Sequence, residues 1–134
     1  MDRYLVAYAG ALVVLLALDF IWLGLAMRRF YRTALGDLAK ERPNVAAAAA
    51  FYCLYVVGIT IFAISPAIDT EQWLRALTLG GLFGFFAYMT YDLVNFATLK
   101  RYPFRLAIMD IGWGVAVTGA AAAAGYFAAA LYGR

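Results

Sequence analysis

The sequence predicts an all-α membrane protein, a four-helix transmembrane bundle forming a single integral membrane domain over residues 1–134. Of the 134 residues, 66% are hydrophobic and only 14% are charged, and the mean hydropathy is +0.80, which excludes an ordinary soluble domain. The apolar residues also fall into four stretches that each reach the about 20 residues a helix needs to cross a ~30 Å hydrocarbon core. These stretches are residues 4–27, 45–65, 73–99 and 106–131.

The first stretch is interpreted as a retained membrane helix, because its apolar run is too long for a signal peptide and its basic cluster follows the run. The link from Arg29 to Asn44 mixes aromatic, apolar and charged residues, which predicts a short helix in the headgroup region. Pro43 is typical of a helix start, so the second helix is expected to begin there, and Ser65-Pro66 is expected to end it.

The third helix is expected to begin at Trp73, whose ring suits a membrane interface. Gly80 and Gly84 lie on one face and predict a close approach by another helix backbone. Pro103 marks the turn into the fourth helix. That helix is rich in Gly and Ala from Gly119 to Ala130, which predicts a place in the bundle interior or at a subunit contact.

An offset of 73 residues lays the first helix on the third, so that Asp19 aligns with Asp92 and Arg28 with Arg101. This alignment suggests two helical hairpins in the same orientation, related by an axis along the membrane normal, as in parallel-repeat transporters.

Basic residues are concentrated on the first and third links. Eight lie there and three lie elsewhere, which predicts that these links are cytoplasmic and that both termini are outside. The eight are Arg28, Arg29, Arg32, Lys40, Arg42, Lys100, Arg101 and Arg105. The net charge of +3 is therefore interpreted as a topology signal, and no nucleic-acid partner is expected.

Three acidic residues, Asp19, Asp92 and Asp110, lie inside apolar stretches, where a carboxylate is costly unless it faces a partner, a cavity or water. Their spacing from Arg28, Lys100 and Arg105 places all three roughly 8 to 13 Å inside the cytoplasmic boundary. Three separate helices thus bring an acid to one layer. The alternative for each Asp is an ordinary pairing with an interfacial Arg or a neighbouring helix.

Each acid has a large partner one turn further along its own helix face: Trp22, Asn95 and Trp113, respectively. If these faces converge, they form one cytoplasmic-side pocket with two indole walls, in which Asn95 and Tyr91 or Tyr88 supply hydrogen bonds. A rim formed by Arg28, Arg101 and Arg105 would then gather anionic lipid headgroups, although topology alone also explains these residues.

The motifs that carry these residues are Leu18-Asp19-Phe20-Ile21-Trp22, the stretch from Tyr91 to Lys100, and Asp110-Ile111-Gly112-Trp113-Gly114. With them the chain resembles, over essentially its whole length, a family of small bacterial four-span membrane proteins of unknown function. The resemblance implies a multi-pass protein of the bacterial inner membrane, and it brings no established activity.

The composition also limits which cofactors the chain could bind. The chain has no His and a single Cys, Cys53, so neither haem nor zinc is expected. Carboxylates alone suit Mg²⁺ or Ca²⁺, or an organic cation cupped by indole rings.

Three functions stay open at this point. The leading hypothesis is a pocket that binds an amphipathic or cationic ligand, in its most concrete form a lipid- or isoprenoid-modifying enzyme with Asp19, Asp92 and Asp110 as acid, base or ligand groups. The second is a small proton-coupled carrier. The third is an accessory subunit or assembly factor of a larger membrane complex. Membrane lipids are expected partners, and a homodimer or a larger membrane complex is the candidate assembly.

Overall fold

The computed structural model describes residues 2–22, 24 and 45–132. In that part the chain forms four helices: α1 (Asp2–Ile21), α2 (Val45–Thr70), α3 (Trp73–Thr98) and α4 (Phe104–Tyr132). All four are long and apolar enough to cross a membrane. The predicted fold class is therefore confirmed. The predicted link helix between Arg29 and Asn44 lies outside the described residues.

Large apolar side chains point outward along every helix, among them Leu5, Leu54, Phe86 and Leu131. The interior instead holds many small residues. This distribution is the one expected when lipid surrounds the bundle, because lipid tails accept apolar side chains and helices associate by close packing.

Helix α4 is the central element, since it packs along both α1 and α3. Its buried face is built mainly from residues with little or no side chain: Ala107, Gly114, Gly119, Ala121, Ala122, Gly125 and Ala129. The prediction that the Gly- and Ala-rich part of this helix lies in the bundle interior is confirmed.

The contact between α3 and α4 is close enough to require glycine. A Cβ atom added to Gly84 would lie 2.2 Å from the carbonyl oxygen of Gly114, and one added to Gly80 would lie 2.9 Å from that of Thr118. Both distances are too short for a real carbon–oxygen contact. The predicted close approach at Gly80 and Gly84 is confirmed, and the neighbour is α4.

These contacts fix the directions of the helices. On α1, Ala7 lies against Gly125 near the end of α4, whereas Asp19 reaches Trp113 near its start. Helix α3 crosses α4 in the same sense, because Gly80 meets Ala122 and Gly84 meets Gly114. Helices α1 and α3 are thus parallel to each other and antiparallel to α4, which brings the three acids to one end of the bundle.

Three of the four buried positions of α1 coincide with buried positions of α3 under the 73-residue offset. The stripe of α1 contains Ala7, Ala11 and Asp19, and that of α3 contains their counterparts Gly80, Gly84 and Asp92. Both stripes place small residues and then an acid against α4. The match concerns α1 and α3 alone. Helix α3 packs extensively on α4, whereas α1 packs more on α4 than on α2, so the relation between the two hairpins stays a prediction.

The prediction that Ser65-Pro66 ends the second helix is wrong, because α2 continues to Thr70. A π-helical segment, Thr60–Ile64, precedes the proline, and the Ser65 N–H bonds to the carbonyl oxygen of Thr60. The register shift puts Pro66 in the first turn of a new α-helical segment, where its missing N–H is tolerated. The helix ends instead at Glu71, which adopts a left-handed conformation with φ 55°.

A matched pair of glycine substitutions tests the α3–α4 contact. Gly84→Ala should lower the free energy of unfolding by about 1–3 kcal/mol, because the added methyl group collides with the backbone of α4. In Gly81→Ala the new Cβ would sit 3.5 Å from Val115 Cγ1, an ordinary contact, so this variant should be as stable as the wild type. Unfolding in mixed micelles, followed by circular dichroism, measures both. Equal stability of the two variants would contradict the contact.

Candidate functional site

A partly open cavity of about 430 Å³ lies at the end of the bundle that holds the acids. All four helices or their immediate extensions contribute to its wall, which we call the aromatic cavity. The lining residues are Asp19, Trp22, Phe51, Tyr52, Ala87, Tyr88, Tyr91, Asp110 and Trp113. Six of them are aromatic and two are acidic. An apolar cavity with a few convergent polar groups is the usual form of a small-molecule site.

Asp19 connects three helices through its carboxylate. The Tyr52 hydroxyl on α2 donates to Oδ2, and the Trp113 indole Nε1 on α4 donates to Oδ1 at 3.0 Å. The side chain is only 8% exposed. Each carboxylate oxygen therefore has a donor, which offsets part of the cost of placing a charge in the apolar layer.

Trp22 and Trp113 stack on each other, with ring centroids 4.5 Å apart and planes 4° apart. The sequence predicts a pocket walled by these two indoles, and both of them line the cavity. Because the rings are in direct contact, they form a single wall of double thickness. The Trp22 Nε1 atom is buried and meets no hydrogen-bond acceptor among the described residues.

Asp110 lies on the cavity wall, and Asp92 lies behind it. Asp92 is fully buried, and it lies next to Asp110 in the α3–α4 register, which pairs Gly84 with Thr118 and Tyr88 with Gly114. The Tyr102 hydroxyl, from the connection between α3 and α4, donates to Asp92 Oδ1 at 2.8 Å. Asp92 Oδ2 meets no donor in the described part of the chain.

Comparison with known protein families gives a match for this chain. The family model described as "Predicted membrane protein (DUF2177)" matches residues 4–127. The chain belongs to the DUF2177 family. Every described residue of the aromatic cavity falls inside the match, and the family has no established function. No curated protein and no solved structure matches the chain significantly.

The remaining predicted residues of this DUF2177 protein take different positions. Tyr91 lies at the cavity edge and is 55% exposed. Asn95, one turn further on, interacts with Tyr91 and Tyr102 and is not among the described lining residues. Of the expected headgroup rim, Arg101 and Arg105 are exposed at the α3–α4 connection, and Arg28 lies outside the described residues.

The three acids do not form one cluster. Asp92 and Asp110 are neighbours, whereas Asp19 is held separately by Tyr52 and Trp113. Among the residues that the structure describes, no group of three or more His, Cys, Asp or Glu side chains is arranged to hold a metal ion. Asp19 and Asp110 nevertheless line the same cavity, and Asp92 lies behind Asp110.

Sequence reasoning missed Phe51, Tyr52 and Tyr102. The first two lie on a helix with no charged residue in its apolar run, so nothing in its composition pointed to a polar role. Their position along α2 could have identified them. Both lie near the start of this helix, at the end of the bundle where the other helices carry the acids. Tyr102 resembled an ordinary interfacial residue, although it is almost fully buried.

Helix α2 leaves the cavity partly open. It packs on α3 through its π-helical segment, whereas the backbone of the preceding Val45–Ile59 segment comes closer to α1 than to α3. Residues 45–50 are exposed, and Phe51 at the cavity edge is 48% exposed. In the described part of the chain, two cavity residues at the facing edges of α2 and α3, Phe51 and Tyr91, are therefore about half exposed.

Removing one donor tests the arrangement around Asp19. Tyr52→Phe should lower the free energy of unfolding by about 1–3 kcal/mol, because it leaves a buried carboxylate oxygen without its partner. Tyr132→Phe is the control, since its hydroxyl makes only an exposed 3.4 Å contact with Asp2, and its effect should stay within about 0.5 kcal/mol. Unfolding in mixed micelles compares the two, and equal effects would argue against the Tyr52–Asp19 bond.

Proposed function

We propose that this protein binds the cationic group of an amphipathic molecule in the aromatic cavity. The observation that carries the proposal is the composition of the wall, in which six aromatic side chains surround two carboxyl groups. Aromatic faces attract organic ammonium groups through their quadrupole, and the attraction increases when water is excluded.

The charges on the wall favour a cation over an anion. Asp19 and Asp110 contribute the acidic groups, and no Lys or Arg is among the described lining residues. In the low dielectric of a membrane, an anionic group beside these carboxylates would be repelled, and a cation would be attracted.

The surroundings of the cavity favour an amphipathic molecule. A ligand with an apolar chain can leave that chain in lipid while its charged group passes between α2 and α3, where Phe51 and Tyr91 are half exposed. Lys100, Arg101 and Arg105 lie at the same end of the bundle, so we propose that this end is cytoplasmic and that both termini are outside the bacterial inner membrane.

An enzyme acting on such a lipid or isoprenoid is the second candidate. It is favoured by the proximity of Asp92 and Asp110, because neighbouring carboxyl groups can serve as a general acid and a general base. Chemical conversion of a bound ligand, as opposed to its release unchanged, would distinguish the enzyme from a binding protein or carrier.

The binding proposal is tested with a pair of probes that differ only in charge: an alkyl trimethylammonium and the same alkyl chain ending in an uncharged tert-butyl group. Binding to the protein in lipid nanodiscs is followed by tryptophan fluorescence. A Trp73→Phe background leaves only the stacked pair, Trp22 and Trp113, as emitters. The ammonium probe should bind at least about tenfold more tightly than the neutral probe, since charge pairing and cation–π attraction add to the shared apolar contact.

Two acid variants complete this experiment. Asp110→Asn should lose most of the preference for the ammonium probe. Asp69→Asn, which alters an exposed acid near the other end of α2, should keep it. Equal affinity for both probes, or a preference that survives in Asp110→Asn, would contradict a cation site.

A further inference from the structure

We propose that Asp92 and Asp110 form a proton site that gives up one proton when the cation binds, and that Tyr102 connects this site to the membrane edge. The inference rests on the proposed cation-binding function. It adds that cation binding is coupled to the release of a proton. Binding of the cation and protonation of the pair would then exclude each other, so that a returning proton releases the cation.

The pair is placed to sense the cavity. Asp110 is part of the cavity wall, so a cation bound there adds a positive charge next to its carboxyl group. Asp92 is 0% exposed and lies next to Asp110 in the register of the α3–α4 contact. A charge in the cavity therefore acts on both carboxyl groups, although only one of them touches the ligand.

The hydrogen bonds of Asp92 leave room for a proton. Its Oδ1 accepts from Tyr102, whereas Oδ2 meets no N–H or O–H donor among the described residues. A fully buried carboxylate with one donor is costly, and a second carboxylate beside it adds repulsion. A proton held between the two groups relieves both costs when the cavity is empty. A bound cation removes the need for that proton.

Tyr102 lies outside the membrane-spanning helices, in the short connection between α3 and α4 beside the exposed Arg101. Burial, together with the hydrogen bond and charge of Asp92, raises the pKa of Tyr102, so its phenol stays protonated and continues to donate. The hydroxyl is thus the link between the buried pair and the edge of the bundle where water is available.

Other titratable groups surround the pair on the neighbouring elements. From α3, Tyr91 interacts with both Asp92 and Asp110, and Tyr88 lies near Asp110. Tyr88 is also near Asp19 of α1, so the two acidic regions share one tyrosine. All of these neighbours are phenols, which stay neutral near pH 7 when they are unperturbed or buried. Among these described groups, the carboxyl groups are therefore the ones expected to exchange a proton.

The exchange balances in charge and in atoms. When the cation enters, one carboxyl O–H bond of the pair breaks, and its proton passes to water at the membrane edge. No electrons are transferred and no other bond changes. In the reverse direction, a proton from water re-forms the O–H bond, and the cation leaves.

Proton release on binding tests the inference directly. The protein in nanodiscs, in weakly buffered solution with a pH indicator, is mixed with the alkyl trimethylammonium probe. The wild type should release about one proton per bound cation, and its affinity should rise up to about tenfold per pH unit where the pair titrates, because linkage is reciprocal. Asp92→Asn keeps an acceptor for Tyr102 and removes the shared proton, so it should release none and bind with an affinity independent of pH. Asp69→Asn should behave as the wild type.

The infrared spectrum of the ligand-free protein provides a readout that needs no probe. A protonated carboxyl C=O band should be present in the wild type and should disappear in both Asp92→Asn and Asp110→Asn. A wild type without this band, or a band that persists in both variants, would overturn the proton site. Cation binding without proton release would overturn the coupling and leave the binding proposal intact, whereas absence of cation binding would overturn the function on which the coupling rests.

Discussion

The close contact of α3 and α1 with α4 is the constraint on which the rest of this molecule depends. In lipid, apolar side chains gain little by moving inward, so helices associate where small residues let backbones approach. Gly84 against Gly114 and Ala7 against Gly125 are such contacts. They set both the register and the rotation of the helices. Asp19 and Asp92 each follow these small residues by about two turns, so both acids lie at the same end of the bundle.

The three acids at this end of the bundle have two different kinds of hydrogen-bond surroundings. Asp19 has a donor for each oxygen and ties α1 to α2 and α4. Asp92 lies next to Asp110, and it accepts a hydrogen bond from Tyr102 at Oδ1, whereas its Oδ2 meets no donor among the described residues. The first arrangement fixes the position of a carboxyl group at the cavity wall. The second is suited to a group whose charge changes.

Much of this fold could be predicted from the sequence, because hydropathy alone identifies helices long enough to cross a membrane. The shared depth of the acids followed from their distances to basic helix ends. The close helix contact at Gly80 and Gly84 could also be predicted, because two glycines on one face of a membrane helix let another backbone approach.

Other parts of the site could not be predicted, for reasons that are physical. Rotation about the helix axis is poorly encoded, because lipid and protein interior are similarly apolar, and so the stacking of Trp22 on Trp113 was not foreseeable. The continuation of α2 past Pro66 depends on a π-helical register shift that has no simple sequence signal. Tyr52 became a partner of Asp19 only through the packing of α2 on α1.

Native mass spectrometry of the protein, extracted gently from its own membrane, tests the central claim of a cation site most directly. The wild type should carry an amphipathic molecule with a positively charged group, and Asp19→Asn, which removes a charge from the cavity wall, should lose it. A wild type that carries nothing, an anionic ligand, or a ligand retained equally by the variant would contradict a cation-binding cavity.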